Sequence, residues 1–188
     1  MPADTTAINK LMGRFDDHPS VWLFGYGSLI FKADFPFVEK RPALIRNWTR
    51  RFWQGSYDHR GTHTAPGRVV TLIPEAEAIC EGMAYLITPQ IFEHLDYREK
   101  NGYLRLGTEI IFEDGTSAEG LVYIATAENT AFLGPASELD IARQIAASSG
   151  PSGHNKEYLT GLATALRALG KEDAHVFGIE QHLIALDN

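Results

Sequence analysis

The feature that most constrains this chain is a strand that ends in two glycines. Val21-Trp22-Leu23-Phe24 is a short apolar run of the kind that buried strands carry. It stops at Gly25-Tyr26-Gly27-Ser28-Leu29. Glycine admits turns that other residues avoid and lets a ligand come close to the main chain. A strand ending in Gly-x-Gly-Ser can therefore turn a row of N–H groups toward one point, a small anion nest. Ser28 adds a hydroxyl, and Tyr26 a ring with a polar tip. The same glycines also suit a plain turn, so the stretch alone does not choose. Two specific alternatives fail on spacing. A dinucleotide fingerprint needs a third glycine where Ile30 stands. A phosphate loop needs Gly-Lys-Ser/Thr, a tripeptide that occurs nowhere in the chain.

The rest of the composition narrows the class. A length of 188 residues suits a single domain, and 44% apolar residues can build a core. The net charge of −7 argues against a nucleic-acid partner. The single cysteine, Cys80, rules out an intrachain disulfide and fits a reducing compartment. No stretch reads as a secretory leader, and no apolar run approaches the ~18 residues of a membrane span. These features predict a soluble cytoplasmic protein.

Taken in order, residues 1–20 read as a helical extension, with Asp4 as cap and Ile8, Leu11, Met12 and Phe15 on one face. Residues 21–188 read as the main domain. Strands are expected at 42–48, 51–54, 68–73 and 79–87, with a polar loop at 57–66. Thr88-Pro89 reads as a helix start, and Gly102 suits the position past that helix's end. Glu99 then falls at the last turn, where the helix dipole prefers a cation. A hairpin is expected over 103–124, turning at Asp114-Gly115. Helices are expected over 138–147, 156–169 and 174–186. Strands precede helices, which points to α+β rather than alternating α/β. The pattern alone does not separate a barrel from an open sheet.

Read together, Leu23–Leu29 and Tyr97-Arg98-Glu99-Lys100-Asn101-Gly102-Tyr103 carry a specific likeness. The chain resembles the γ-glutamylcyclotransferases of the ChaC family, enzymes specific for glutathione. Residues 50–55, 58–61, 66–72, 133–135 and 150–153 fit the same family in one register. The resemblance implies an α+β fold: a small mixed β-barrel flanked by helices, γ-glutamylcyclotransferase-like (BtrG-like). It implies a lyase reaction in glutathione catabolism. The α-amine of glutathione attacks its own γ-carbonyl, giving 5-oxoproline and cysteinylglycine. No cofactor, metal or nucleotide takes part.

The resemblance also distributes roles. Glu99 matches the catalytic glutamate, acting as general base and then general acid. An apolar pocket walled by Tyr97, Tyr103 or Phe24 would raise its pKa toward neutrality. Leu23, Phe24, Gly25, Tyr26, Gly27, Ser28 and Leu29 form the loop that grips the glutamyl headgroup. Ser56, Arg60 and Tyr123 are expected near the substrate, Arg60 through its planar guanidinium and Tyr123 through its hydroxyl. Each has a plainer reading. Glu99 alone is a charge between Arg98 and Lys100, Arg60 a structural ion pair with a nearby acid, and Tyr123 a buried strand tyrosine. Arg50-Arg51 reads as a solvated pair and Tyr158 as a packing residue. His59 and His63 sit in a loop with no nearby third ligand, which does not make a metal site. Two other functions stay open: ring closure on other γ-glutamyl peptides or amines, and glutathione binding without turnover.

Overall fold

The computed structural model describes residues 4–6, 9, 15, 17–100 and 102–188. The expected N-terminal helix falls mostly outside them, including Ile8, Leu11 and Met12. Of its named residues, Asp4 accepts the Thr6 N–H at 2.9 Å. The chain divides into two compact units, Met1–Thr49 with Leu72–Thr130, and Arg50–Thr71 with Ala131–Asn188.

Five strands make the sheet: β1 (Val21–Gly25), β2 (Glu39–Ser56), β3 (Gly67–Ile87), β4 (Tyr103–Phe112) and β5 (Ser117–Ala125). In the order β1-β3-β2-β4-β5 they close into a barrel. The barrel is mixed. β1 runs antiparallel to β3, with Leu23 opposite Tyr85, and parallel to β5, with Leu23 opposite Leu121. β4 and β5 form the expected hairpin, from Tyr103 opposite Ala125 to Ile111 opposite Ser117. At its turn, Gly115 donates to the Phe112 carbonyl at 3.0 Å, and Asp114 accepts the Thr116 N–H at 2.9 Å.

Two strand readings are corrected. The segments expected at 42–48 and 51–54 are one strand, and so are those at 68–73 and 79–87. Polar residues within the two strands bend the ladder without ending it. Asn47 and Glu77 take the left-handed region, with φ of 67° and 65°. The Asn47 side chain accepts the Glu77 N–H at 3.0 Å, which satisfies a donor that the bend turns aside.

In the unit that carries β1, the core gathers Leu23, Phe24, Ile45, Leu72, Tyr85, Ile87, Leu95, Ile110 and Ile124, all nearly inaccessible. β5 ends in six consecutive buried residues because its neighbours on both sides are strands. A one-turn helix, α1 (Ser28–Phe31), follows β1. A 3-10 turn (Pro89–Ile91) leads into α2 (Phe92–Arg98). Proline opens that turn as expected, but the Thr88 side chain makes no capping bond.

The other unit carries α3 (Glu138–Ala147), a two-stranded ribbon β6 (Ser149–Gly150) and β7 (Gly153–His154), α4 (Asn155–Ala168) and α5 (Ala174–Leu186). The three helices pack on one another. Ser137 caps α3 through the Asp140 N–H at 3.1 Å, and Asp173 caps α5 through that of Val176 at 3.1 Å. Leu159, Leu162, Ala163 and Leu166 form a fully buried face of α4. Tyr158 is a packing residue, as expected. Its ring meets Phe52 edge-on and its hydroxyl accepts the Val70 N–H at 3.3 Å. Arg50 is not solvated: it is 2% exposed and donates to Asp173 at 2.8 Å. Arg51 folds back onto the Arg50 carbonyl at 2.7 Å. His175, which accepts the Phe52 N–H at 2.9 Å, is pushed down to about 4 by burial and by Arg51. It stays neutral at physiological pH and serves as a backbone acceptor.

Candidate active site

The first strand positions the loop. Leu23 and Phe24 are fully buried and hydrogen-bonded into the ladder, so they support the turn rather than face solvent. At Gly25 the chain must bend sharply. A Cβ there would stand 2.8 Å from the Leu29 Cβ, closer than real side chains approach. The carbonyl of Leu29 accepts the Tyr85 hydroxyl at 2.6 Å, and burial pushes that hydroxyl up to about 12. Tyr26 turns its own hydroxyl to the Tyr123 carbonyl at 2.5 Å. The loop is thus pinned at both ends by phenols, one on β3 and one within the loop itself.

Glu99 stands just past the last turn of α2, its N–H bonded to the Leu95 carbonyl at 2.8 Å. Its side chain is 16% exposed. Its carboxyl is raised from the ordinary 4.5 to about 7: burial raises it most, the neighbouring Arg98 guanidinium opposes that, and the Asp34 carboxylate adds to it. Tyr97 is not part of the expected wall. Phe24 is buried, but Tyr97 is 65% exposed and stacks under the Lys100 ammonium at 4.1 Å. Tyr97 points away because it precedes Glu99 by two residues on a helix, where such neighbours do not share a face.

Arg98 joins the two halves of the motif. It donates to the Ser28 hydroxyl at 3.1 Å and to the Lys32 carbonyl at 3.3 Å, and pairs with Asp34. Its Nε lies 3.6 Å from Oε1 of Glu99. Ser28 of the glycine loop and the Glu99 carboxylate therefore face the same guanidinium.

Tyr123 is 3% exposed and donates to Asp96 at 2.5 Å. Asp96 in turn faces Arg105 at 3.5 Å, and both are nearly inaccessible. Burial and the Asp96 carboxylate hold the Tyr123 hydroxyl far above the ordinary tyrosine range, with Glu99 adding to the effect. Its hydroxyl proton is given to Asp96.

Ser56 and Arg60 lie in the second unit. The Ser56 hydroxyl accepts the Arg60 N–H at 2.9 Å. The Arg60 guanidinium donates to the His154 carbonyl at 3.1 Å and pairs with Glu157 at 3.3 Å. In the same loop, His59 meets the Ser152 hydroxyl at 3.2 Å, and His63 stacks near Tyr57. Among the described residues no group of three His, Cys, Asp or Glu is placed to hold a metal ion, and no helix is long and apolar enough to cross a membrane.

Sequence reasoning missed Arg98, Asp34, Tyr85 and Asp96. Arg98 had a usable signal, since it stands inside the Tyr97–Tyr103 motif beside Glu99. Tyr85 and Asp96 had none, because only the fold brings them to the loop and to Tyr123.

The arrangement is a carboxylate titrating near neutrality beside a glycine turn. That suits proton transfer on a small ligand with an anionic or zwitterionic end. Comparison with known proteins agrees. The family model of the ChaC-like proteins matches residues 21–185. The chain is 44% identical over 177 residues to glutathione-specific γ-glutamylcyclotransferase 1 of Danio rerio, covering 88% of this chain and 90% of that one. It is 36% identical over 202 residues to the glutathione-specific γ-glutamylcyclotransferase of Saccharomyces cerevisiae, covering 80% and 87%. A crystal structure of the yeast γ-glutamylcyclotransferase specific to glutathione superposes with a TM-score of 0.83 at 31% identity, over 89% of this chain and 97% of that one. With the sequence motif, the barrel and the site in agreement, this chain belongs to the family of ChaC-like proteins.

Proposed function

We propose that this protein is a glutathione-specific γ-glutamylcyclotransferase, a lyase of glutathione catabolism that releases 5-oxoproline and cysteinylglycine. One observation carries the reading: Glu99, held near neutrality, is linked through Arg98 to Ser28 of the glycine loop. The names and coverage of the relatives support the choice of substrate.

In this reading the Gly25–Leu29 turn holds the α-carboxylate of the glutamyl group, and Ser28 contributes its hydroxyl. Fixing that end folds the chain so that the α-amine lies against its own γ-carbonyl. An intramolecular attack in a held geometry needs little further entropy. The amine is mostly an ammonium at pH 7 and must lose a proton. Glu99 takes it and releases it to solvent; as the amine nitrogen then bonds to the γ-carbon, Glu99 takes the second proton from that nitrogen and the amide bond to cysteine breaks. Glu99 returns the proton to the departing nitrogen. Atoms balance with no co-reactant. A base near pH 7 suits both transfers, whereas one at 4.5 would give up its proton readily and accept it poorly. In this reading Tyr123, which gives its proton to Asp96 and feels the Glu99 charge, offers its oxygen as an acceptor for the ammonium.

The test is to incubate the purified protein separately with glutathione and with γ-glutamyl-alanine, and to quantify 5-oxoproline and cysteinylglycine. Both products from glutathione, and little 5-oxoproline from γ-glutamyl-alanine, are expected. Equal 5-oxoproline from the two would make the enzyme a general cyclotransferase. Bound but intact glutathione after hours would make the protein a binder.

A further inference from the structure

The guanidinium of Arg98 faces four groups from three segments of chain: Ser28 at the start of α1, Lys32 and Asp34 after it, and Glu99 beyond α2. Its side chain is 17% exposed, so it is held rather than splayed into solvent. We propose that Arg98 is the positioning residue of this site: its rigid fork, anchored by Asp34, fixes the spacing between the glycine loop and the Glu99 carboxylate. The proposal rests on the function given above.

The geometry gives arginine a task that lysine cannot repeat. Nη2 serves Ser28, Nη1 serves Lys32 and Asp34, and Nε faces Glu99. A guanidinium offers these donors in one plane at fixed angles, whereas an ammonium is a single point on a flexible stem. Arg98 ends α2 and Glu99 caps it, so the fork ties that helix end to the loop. A substrate gripped by the loop then meets the base at a set distance, and misplacement of about 1 Å at such a site costs on the order of a hundredfold in rate.

The same contacts set how Glu99 titrates. The charged and titratable groups around it are Arg98 on its own helix, Asp34 from the loop after α1, and Tyr123 from β5 with its partners Asp96 and Arg105. Lys100 is next in sequence, but its ammonium lies over Tyr97. Arg98 favours the charged carboxylate and Asp34 opposes it. Removing one or the other therefore moves the Glu99 titration in opposite directions. Damage to the fold alone would not produce that pattern.

The test uses the full chain and three variants, Arg98→Lys, Arg98→Met and Asp34→Asn. kcat and KM for glutathione are measured from pH 5 to 9. In parallel, the Glu99 carboxyl titration is followed by carbon-13 NMR in the ligand-free protein. Arg98→Met should move the acid limb and the NMR midpoint up by roughly one pH unit, the smaller end of a neighbouring-charge effect. Asp34→Asn should move both down, by less, because Asp34 is half exposed. Arg98→Lys should leave the limb near the parent's and lower kcat about tenfold or more. Unshifted midpoints in Arg98→Met and Asp34→Asn, or parental kcat in Arg98→Lys, would overturn the proposal. Should Arg98→Met fail to fold, the other two variants still decide it. A wild-type protein inactive on glutathione sinks the function, while the NMR shifts still read the Arg98–Glu99 coupling.

Discussion

At the scale of the residue, Glu99 matters most, and its raised pKa is also a statement about stability. The unfolded carboxyl titrates near 4.5 and the folded one near 7. Between those values the folded state binds the extra proton, so stability falls as pH rises from about 4.5 to about 7. The penalty is fully present above 7 and is at most about 3 kcal/mol. Glu99→Gln carries no such penalty. Its thermal midpoint should match the parent's near pH 4.5 and exceed it at pH 8; equal midpoints at both pH values would show that Glu99 is not destabilised by burial. The motif around Glu99 was legible from sequence, because Leu23–Leu29 and Tyr97–Tyr103 are informative as a pair. Its environment was not. Tyr97, the nearest aromatic in sequence, faces solvent, while Asp34, sixty-five residues away, helps set the titration. Charge and burial at a point are properties of packing, which spacing along the chain does not record.

At the scale of the element, the junction of β1 and β3 fixes where the loop begins. Gly82 is the glycine that allows it. A Cβ there would lie 2.2 Å from the Gly25 carbonyl oxygen and 2.8 Å from the Phe24 ring. The backbone oxygen cannot step aside without moving the turn. Gly82→Ala should destabilise the protein by about 1–3 kcal/mol, the range of overpacked cores. Urea denaturation checks this through a lower midpoint, and an unchanged midpoint would mean that the strands are less closely set. Two of the helices, α3 and α5, were legible to the residue and the hairpin to within one residue at each end of its second strand, because a glycine turn, caps and period are local signals. The long strands were not. Thr49-Arg50 and the run Pro74-Glu75-Ala76-Glu77 look like breaks, yet the strands continue through both, and the Asn47 side chain restores a bond that the bend disturbs. Composition marks where a strand bends but not whether its ladder survives.

At the scale of the whole molecule, strands come first and helices last, which gave the α+β class. The closed mixed barrel followed from the family resemblance and not from the pattern. Closure depends on β1 pairing with β5 across a hundred residues, and no local signal encodes that pairing. The yeast structure and the family match agree with the barrel. What the fold accomplishes is to bring a turn from the first strand and an acid from the second helix to one arginine. The most direct measurement is the pH profile of cysteinylglycine release from glutathione, for the parent and for Glu99→Gln. The parent's kcat/KM should rise along an acid limb centred near pH 7, and Glu99→Gln should lose on the order of a hundredfold or more and the limb with it. A Glu99→Gln enzyme with parental turnover, or a parent whose acid limb lies near 4.5, would contradict the account.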